Sequence, residues 1–124
     1  MKFCVIDDDA IVLKMISAVL EKSGHEVVTE VSGLRAEETV LAANPDCVIT
    51  DLMMSPDDGL VVCQSLRRHS KLDDVPIIML SSNKKNQDYW KKRAMEIGAN
   101  GYMSKPITPN FAKEIGELID GLKL

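Results

Sequence analysis

The sequence has 124 residues, of which 45% are apolar and 27% are charged, and its net charge is −4. This size and composition are typical of one soluble globular domain with a single core. The negative balance argues against binding to nucleic acid through overall positive charge, and no apolar run approaches the roughly 18 residues of a membrane span. The three cysteines, Cys4, Cys47 and Cys63, lie in apolar segments without CxxC spacing, so we expect buried, reduced thiols in a cytoplasmic protein.

Short apolar segments rich in β-branched residues alternate with segments of helical periodicity. The predicted strands are Lys2 to Ile6, His25 to Val31, Cys47 to Thr50, Val75 to Leu80 and Gly101 to Ser104. The predicted helices are Ala10 to Ser23, Ser32 or Gly33 to Ala43, Gly59 to about Arg68, Asn86 to Ile97, and a last helix with Thr108 as N-cap and Pro109 as its first residue. This alternation predicts an α/β fold, namely a flavodoxin-like (βα)5 doubly wound parallel sheet with strand order 2-1-3-4-5.

Apolar residues at helical spacing predict which helix faces pack on the sheet. The predicted core-facing positions are Val12, Ile16 and Val19 in the first helix, Leu60, Cys63 and Leu66 in the third, and Trp90, Ala94 and Ile97 in the fourth. Gly24 and Gly98 follow the first and fourth helices, and we expect them to end these helices because glycine tolerates the left-handed conformation found there.

Polar side chains follow four of the five predicted strands. Asp7, Asp8 and Asp9 come after the first strand, Asp51 after the third, Ser81 after the fourth and Lys105 after the fifth. The carboxyl ends of parallel strands share one edge of the sheet, where such folds bind their ligands. Capping of the first helix accounts for Asp9 but cannot use all three aspartates.

Several carboxylates at one edge repel one another unless a cation neutralises them. Mg²⁺ suits such a site because it prefers oxygen ligands, takes one or two carboxylates and leaves positions for water and phosphate. We therefore assign Asp7 and Asp8 to metal binding. Lys105 adds a fixed positive charge and Ser81 a hydroxyl donor, so the edge is predicted to receive a phosphoryl group, with Asp51 as the nucleophile.

Four motifs then resemble one family over the whole chain. They are Ile6-Asp7-Asp8, Asp51 to Met54 with Gly59 eight residues after Asp51, Pro76 to Ser81, and Gly101 to Pro106. In this order and spacing they are similar to the response-regulator receiver domains of two-component signalling, and especially to the chemotaxis regulators. The resemblance implies that residues 1–124 form a single receiver domain.

The resemblance also implies a role for each site residue. Asp51 would accept phosphate from the phosphohistidine of a histidine kinase or a histidine phosphotransfer protein, and Lys105 and Ser81 would contact the phosphoryl group. Mg²⁺ would bind Asp7, Asp8, Asp51 and the backbone carbonyl of Met53. Such a domain is a signalling phosphoacceptor that catalyses only its own phosphorylation and dephosphorylation.

Further positions are implied to act as switches or to tune the phosphoryl lifetime. Ser81 and Tyr102 match the switch residues, while Met53 and Asn83 match the positions that tune how long the phosphoryl group persists. The Lys105-Pro106 bond resembles one that is cis in the family. The switching surface would comprise the fourth helix, fifth strand and fifth helix, and it would control a downstream protein that the sequence does not name.

The chain departs from the family pattern in two places. The family usually has proline directly after the position of Met54, whereas this chain has Ser55 and then Pro56. Because Gly59 keeps its place, we expect the loop to keep its length and to change only its local turn. The chain is also slightly longer than compact chemotaxis-type members over Asn83 to Asp88, which is expected to alter how the loop after the fourth strand moves.

Charges on the last two helices allow a homodimer. The fourth helix carries Lys91, Lys92 and Arg93, and the fifth carries Glu114, Glu117 and Asp120. A symmetric pairing across two subunits would match these opposite signs, and the alternative is that both faces are simply solvated. Nucleic-acid binding is not expected, because the chain has no aromatic-rich or helix-turn-helix segment beside these bases.

Three alternatives remain open. A Mg²⁺-dependent aspartyl phosphatase would need an acid two residues after Asp51, where this chain has Met53. A flavin-binding protein would need a Gly-, Ser- or Thr-rich phosphate loop after the first strand, where this chain has three aspartates. The third alternative is a receiver fragment of a longer regulator whose output domain is absent.

Overall fold

This computed structural model describes residues 1–54, 58–82 and 85–122, in which strands and helices alternate. The strands are β1 (Lys2–Ile6), β2 (Glu26–Glu30), β3 (Cys47–Asp51), β4 (Ile77–Ser81) and β5 (Gly101–Ser104). The helices are α1 (Ala10–Lys22), α2 (Ala36–Ala43), α3 (Gly59–Leu66), α4 (Gln87–Glu96) and α5 (Phe111–Leu122), with short 3-10 turns at Gly33–Arg35 and Ser70–Leu72. None of the described helices is long and apolar enough to span a bilayer.

The five strands form one parallel sheet in the order β2-β1-β3-β4-β5, which confirms the predicted fold and topology. The register aligns the carboxyl ends of the strands. Thr50 pairs with Ile6, and Ser81 pairs with Ser104. The residues that follow β1, β3 and β5 therefore emerge at the same edge of the sheet, as the sequence predicted.

Both faces of the sheet are buried, because alternate residues of each strand point to opposite sides. On the side of α2, α3 and α4, the strands contribute Cys4, Ile6, Val48, Ile77 and Met79 to one apolar cluster. On the side of α1 and α5, they contribute Phe3, Val5, Cys47, Ile49, Ile78 and Leu80 to a second cluster. This double burial explains the nearly continuous apolar runs of β1, β3 and β4.

The predicted buried faces were correct in part. In α1 the fully buried residues are Leu13, Ile16 and Leu20, whereas Val12 and Val19 are only partly buried. Together these five residues form one broad apolar stripe, and the helix is turned so that the middle of that stripe faces the sheet.

The same rotation occurs in α3, where Leu60 is only partly buried and Val62 replaces it in the core. In α4, Ala94 is fully buried, and Trp90 and Ile97 pack partly buried against the first cluster, so the predicted core-facing side is confirmed.

The predicted start of the last helix was wrong by two residues. Thr108 does not cap a helix that begins at Pro109. Its hydroxyl accepts the Asn110 N–H at 3.3 Å and its carbonyl accepts the Phe111 N–H at 3.0 Å. These bonds close a turn, and α5 begins only at Phe111, whose side chain is buried. Residues 108–110 therefore form a turn that leads into the helix rather than its first turn.

The three cysteines are free and buried, as the sequence predicted. Burial raises the pKa of the Cys4 and Cys47 thiols to about 12 and that of Cys63 to about 11. All three are therefore protonated near neutral pH and are poor nucleophiles in the folded chain.

Candidate functional site

The carboxyl edge of the sheet gathers most of the polar residues that the sequence singled out. Asp7 follows β1, Asp51 ends β3 and Ser81 ends β4, and these three residues are almost completely buried, with 1%, 5% and 1% of their surface exposed. Asp8 is exposed beside them. Buried polar side chains are uncommon unless they are paired or used, so their concentration at one edge identifies the candidate site.

Three of the aspartates lie close enough together to share a cation. Asp7, Asp8 and Asp51 each offer a carboxylate oxygen, and these oxygens lie within 4.8 Å of one another. The donor set is entirely oxygen and includes the exposed Asp8, which leaves one side open to water or to a phosphate oxygen. These residues therefore fit Mg²⁺, which takes few protein ligands and keeps several waters.

Lys105 lies between two of these acids. Its Nζ is 2.8 Å from Asp7 Oδ2 and 3.2 Å from Asp51 Oδ1. Burial by itself lowers the pKa of Lys105, but the hydrogen bond to Asp7 and the negative charges of Asp51 and Asp7 outweigh it and raise that pKa above its ordinary value. The lysine is therefore a permanent cation whose position is set by two carboxylates.

Asp7 is held at both of its oxygens. Lys105 contacts Oδ2, and the backbone N–H of Asp9 donates to Oδ1 at 2.9 Å. The Asp9 side chain in turn accepts the N–H groups of Ile11 and Val12, so it caps α1 as predicted. The role of the Asp9 amide was not predicted from the sequence. The available signal was the spacing of two residues, which is typical of an Asp side chain that bonds the backbone ahead of it.

The environment of Asp51 disfavours its charged form. Burial is the largest cause, the charge of Asp7 adds to it, and the contact with Lys105 opposes it, so that the pKa of Asp51 rises from 3.8 to about 6. The carboxylate is therefore mostly ionised near neutral pH, yet it is destabilised there in the absence of a metal ion. That combination suits a nucleophile, since ionisation supplies the electron pair and poor solvation keeps it reactive.

We expect Asp51→Asn to stabilise the metal-free protein at neutral pH. Because the folded state binds the Asp51 proton more tightly than the unfolded state does, the contribution of Asp51 to stability is fully present below its unfolded pKa of 3.8 and is lost as the pH rises through about 6. Asparagine avoids that loss, so the gain at pH 7.5 should be about 1–2 kcal/mol after discounting for water at the mouth of the site. Urea unfolding of both proteins in EDTA, which keeps the site free of metal, measures this difference in the free energy of unfolding.

The matched comparison is the same pair of proteins at pH 3, where the gain should nearly vanish because Asp51 is mostly protonated in both the folded and the unfolded wild type. Excess Mg²⁺ at pH 7.5 should also shrink the gain, since the cation offsets the repulsion that the substitution removes. An equal gain under all three conditions would contradict the account.

Gly59, at the start of α3, fixes the backbone around Asp51. The Leu52 N–H donates to the Leu80 carbonyl at 2.7 Å, and the Gly59 N–H donates to the Leu52 carbonyl at 2.8 Å. A Cβ on Gly59 would lie 2.2 Å from the Asp51 carbonyl oxygen and 2.7 Å from Met79 Sδ. Only glycine therefore allows α3 to start this close to the end of β3.

The structure confirms some predictions for the remaining site residues and leaves others untested. Ser81 ends β4, and its carbonyl accepts the Lys105 N–H at 2.8 Å, which ties the two strand ends together. The Lys105-Pro106 bond is cis, as predicted. Tyr102 lies in β5 and packs partly buried against the first cluster, and its buried hydroxyl has no hydrogen-bond partner within the described residues. The roles of Ser81 and Tyr102 as switches stay predictions.

Met53 has a half-exposed side chain two residues after Asp51. Tuning of the phosphoryl lifetime by Met53 and metal binding by its carbonyl both stay predictions. Asn83, the second tuning position, and the Ser55-Pro56 departure lie outside the described residues.

Comparison with known proteins gives one consistent result. The model of the response regulator receiver domain family matches residues 3–115. The transcriptional regulator RpaA of Synechocystis sp. is 34% identical over 105 residues, which are 85% of this chain and 43% of that protein. The regulator PhoP of Bacillus subtilis is 33% identical over 108 residues, which are 87% of this chain and 43% of that protein. The chain thus spans less than half the length of these relatives.

Solved structures agree with the family assignment. The chemotaxis response regulator CheY4 of Vibrio cholerae superposes with a TM-score of 0.86 at 27% identity, covering 94% of this chain and 97% of that one. The BeF3-activated receiver domain of Klebsiella pneumoniae RstA gives a TM-score of 0.83 at 31% identity, with both chains fully covered. With the family model covering most of the sequence, this chain belongs to the response regulator receiver domains of two-component systems.

Proposed function

We propose that this chain receives a phosphoryl group on Asp51 from a phosphohistidine, carried by a cytoplasmic histidine kinase or histidine phosphotransfer protein. The observation that supports this best is the setting of the Asp51 carboxylate. It is buried, grouped with Asp7 and Asp8, and contacted by a Lys105 ammonium group at 3.2 Å. Few other functions require a poorly solvated carboxylate beside both a cation-binding acid pair and a fixed positive charge.

In the proposed reaction, an ionised Asp51 oxygen attacks the phosphorus atom. The P–N bond to the donor imidazole breaks and its electron pair returns to the ring nitrogen, while a new P–O bond makes an acyl phosphate. Mg²⁺ held by Asp7, Asp8, Asp51 and the Met53 carbonyl would neutralise charge on the phosphoryl oxygens. Lys105 requires no rearrangement to do the same, because its ammonium group already lies next to the nucleophile.

Formation of the acyl phosphate on Asp51 changes the charge next to Lys105 and Ser81. Acyl phosphate brings about two negative charges and new acceptor oxygens. Lys105 is expected to pair with these oxygens and the Ser81 hydroxyl to donate to them. Movement of the Ser81 loop, together with a new rotamer of Tyr102, would then shift the surface formed by α4, β5 and α5 between two pre-existing states.

The proposal is tested by incubating the protein with acetyl phosphate and measuring its mass. We expect the mass of one phosphoryl group to be added in Mg²⁺, not to be added in EDTA, and to be removed by hydroxylamine, which cleaves acyl phosphates. Failure to incorporate phosphate, or incorporation that is stable to hydroxylamine, would overturn the assignment of an acyl phosphate.

We further propose that phosphorylation acts through partners rather than through catalysis on other substrates. The relatives are named as transcriptional regulators, and this chain covers only 43% of their length. A downstream protein, or an output domain of a longer regulator, would therefore read the state of α4, β5 and α5. A phosphatase is the weaker alternative, because the thioether of Met53 stands where a general acid would be required.

A homodimer through α4, β5 and α5 is a further part of the proposal. The basic residues of α4 include the exposed Lys91 and Lys92, and the acidic residues of α5 include the exposed Glu114 and Glu117. We expect light scattering to report a dimer in beryllofluoride and Mg²⁺, and 0.5 M salt to weaken it, since exposed charge pairs are screened. A monomer in both states would contradict this pairing.

A further inference from the structure

The two ends of α4 are held to the rest of the protein very differently. At the amino end, Asn86 has left-handed backbone geometry with φ 57°, and its side chain makes no capping bond within the described residues. Tyr89 follows with 56% of its surface exposed and rests its ring edge-on against the half-buried Trp90. The one fully buried residue of α4, Ala94, lies in the second half of the helix.

The carboxyl end of α4 is closed by a complete set of backbone bonds. Gly98 has φ 114°, its N–H donates to the Met95 carbonyl at 3.2 Å, and the Ala99 N–H donates to the Ala94 carbonyl at 3.0 Å. This is the Schellman arrangement that satisfies the last carbonyl groups of a helix. In addition, the thiol of Cys63 in α3 lies 3.8 Å from the Ile97 carbonyl, with sulfur as the donor.

Arg67 ties this end of α4 to three other parts of the fold. From the end of α3, its Nε donates to the Gly98 carbonyl at 2.9 Å. Its two other nitrogens donate to the Leu72 carbonyl at 2.6 Å, the Val75 carbonyl at 2.9 Å and Asn100 Oδ1 at 2.8 Å. The planar guanidinium can make these bonds at once because its donors point in fixed, different directions.

The contact between Arg67 and α4 is also one of packing. A Cβ on Gly98 would lie 2.7 Å from Arg67 Cγ, so the arginine stem fills the space beside that glycine. Asn100, which accepts from Arg67, also accepts the Ile77 N–H at 3.0 Å, and its own N–H donates to the Ile77 carbonyl at 2.8 Å. Arg67 therefore joins the end of α4 to the amino ends of β4 and β5.

We propose that Arg67 is the fixed point of α4, so that the helix rearranges from its amino end while its last turn stays attached to α3, β4 and β5. This inference rests on the proposed function, because it concerns how the Ser81 loop passes its movement on. That loop leads to the amino end of α4, where the Asn86 side chain makes no capping bond within the described residues. Phosphorylation then remodels the surface around Tyr89 and Trp90 and leaves the surface around Gly98 unchanged.

Hydrogen exchange of backbone amides in the full chain tests the anchoring itself. The amides of Trp90, Lys91 and Lys92 should exchange at least about 10-fold faster than those of Ile97, Gly98 and Ala99, since local stability follows local contacts. Arg67→Met, which keeps an apolar stem and removes every donor, should bring the last turn to the rate of the first. Arg68→Met is the control, because Arg68 is the exposed neighbour and loses the same charge.

Equal exchange at the two ends of the wild-type helix would overturn the inference, and so would an Arg68→Met effect as large as that of Arg67→Met. If Arg67→Met does not fold, as judged by circular dichroism, Arg67→Lys takes its place. It should accelerate exchange in the last turn, because one donor nitrogen replaces the three that make four bonds in the wild type. The wild-type comparison tests the difference between the two ends of α4, and whichever arginine variant folds measures how much of that difference Arg67 supplies.

A second measurement separates this inference from the proposed function. After incubation with acetyl phosphate and Mg²⁺, the mass reports phosphorylation, and exchange is measured on the same sample. In phosphorylated protein we expect changes at Trp90 to Lys92 and none at Ile97 to Ala99. If the protein is phosphorylated and amide exchange changes equally at both ends of α4, the inference about Arg67 is wrong, while the proposed function stands. Absence of phosphorylation would overturn the proposed function, and the Arg67→Met comparison would still judge the anchor.

Discussion

Asp51→Asn should abolish the incorporation of phosphate from acetyl phosphate in the presence of Mg²⁺. The amide has no ionised oxygen, so it cannot form the P–O bond, and it also removes one of the three carboxylates that lie within 4.8 Å of one another. Intact-protein mass spectrometry over a time course measures the result. The fold should persist, because asparagine has nearly the same shape and avoids the unfavourable burial of a charge.

Asp9→Asn is the matched control for this loss. It makes the same change of charge two residues from Asp7, but asparagine caps helices as well as aspartate does, and the Asp9 contact with Asp7 is made by the backbone amide. Phosphorylation should therefore continue in this variant. Phosphate incorporated by the Asp51→Asn protein and stable under the same conditions would show that Asp51 is not the acceptor.

Gly59→Ala should cause a large loss of stability for a change of one methyl group. The added Cβ would overlap the Asp51 carbonyl oxygen at 2.2 Å, and backbone cannot move away as a side chain can. Relief requires separating α3 from the end of β3, which we expect to cost about 2–3 kcal/mol in the free energy of unfolding. Urea denaturation measures this cost, and the rate of phosphorylation should fall with it because the Asp51 backbone is displaced.

Gly116→Ala in α5 should raise stability rather than lower it. Apart from the backbone of α5 itself, none of the described residues lies within 4 Å of a Cβ at that position, and alanine is favoured over glycine in a helix by about 0.5–1 kcal/mol. The two variants add the same methyl group, so a gain for Gly116→Ala beside a loss for Gly59→Ala isolates the clash. A Gly59→Ala protein as stable as the wild type would show that α3 can shift freely from β3.

The sequence predicted the parts of the site that depend on strand ends. Asp7, Asp8 and Asp51 follow apolar segments of strand length, and the parallel topology places such ends at one edge whatever the details of packing. Gly24 and Gly98 were predicted as helix ends for an equally local reason, since glycine enters the left-handed conformation without steric cost.

Contacts made by long side chains were harder to predict from the sequence. No sequence pattern predicted the role of Arg67, which bonds four oxygens on segments up to 33 residues away. The start of α5 was missed because Thr108 and Pro109 match a common helix start, while the helix begins where Phe111 reaches the core. Neither outcome follows from spacing, since each depends on how distant segments pack.

The sequence by itself determined the alternation of strands and helices, the order of the sheet and the set of acids at its carboxyl edge. The alternation and the acids follow from periodicity and from the short-range conformational preferences of the chain, and the order of the sheet follows from the connection rules of parallel α/β folds. Only the tertiary structure decided that Lys105 contacts both Asp7 and Asp51, although 98 residues separate it from Asp7. It also decided that Arg67 holds one end of α4. Such contacts depend on side-chain rotamers and on the separation of packed elements, which no local pattern of residues encodes.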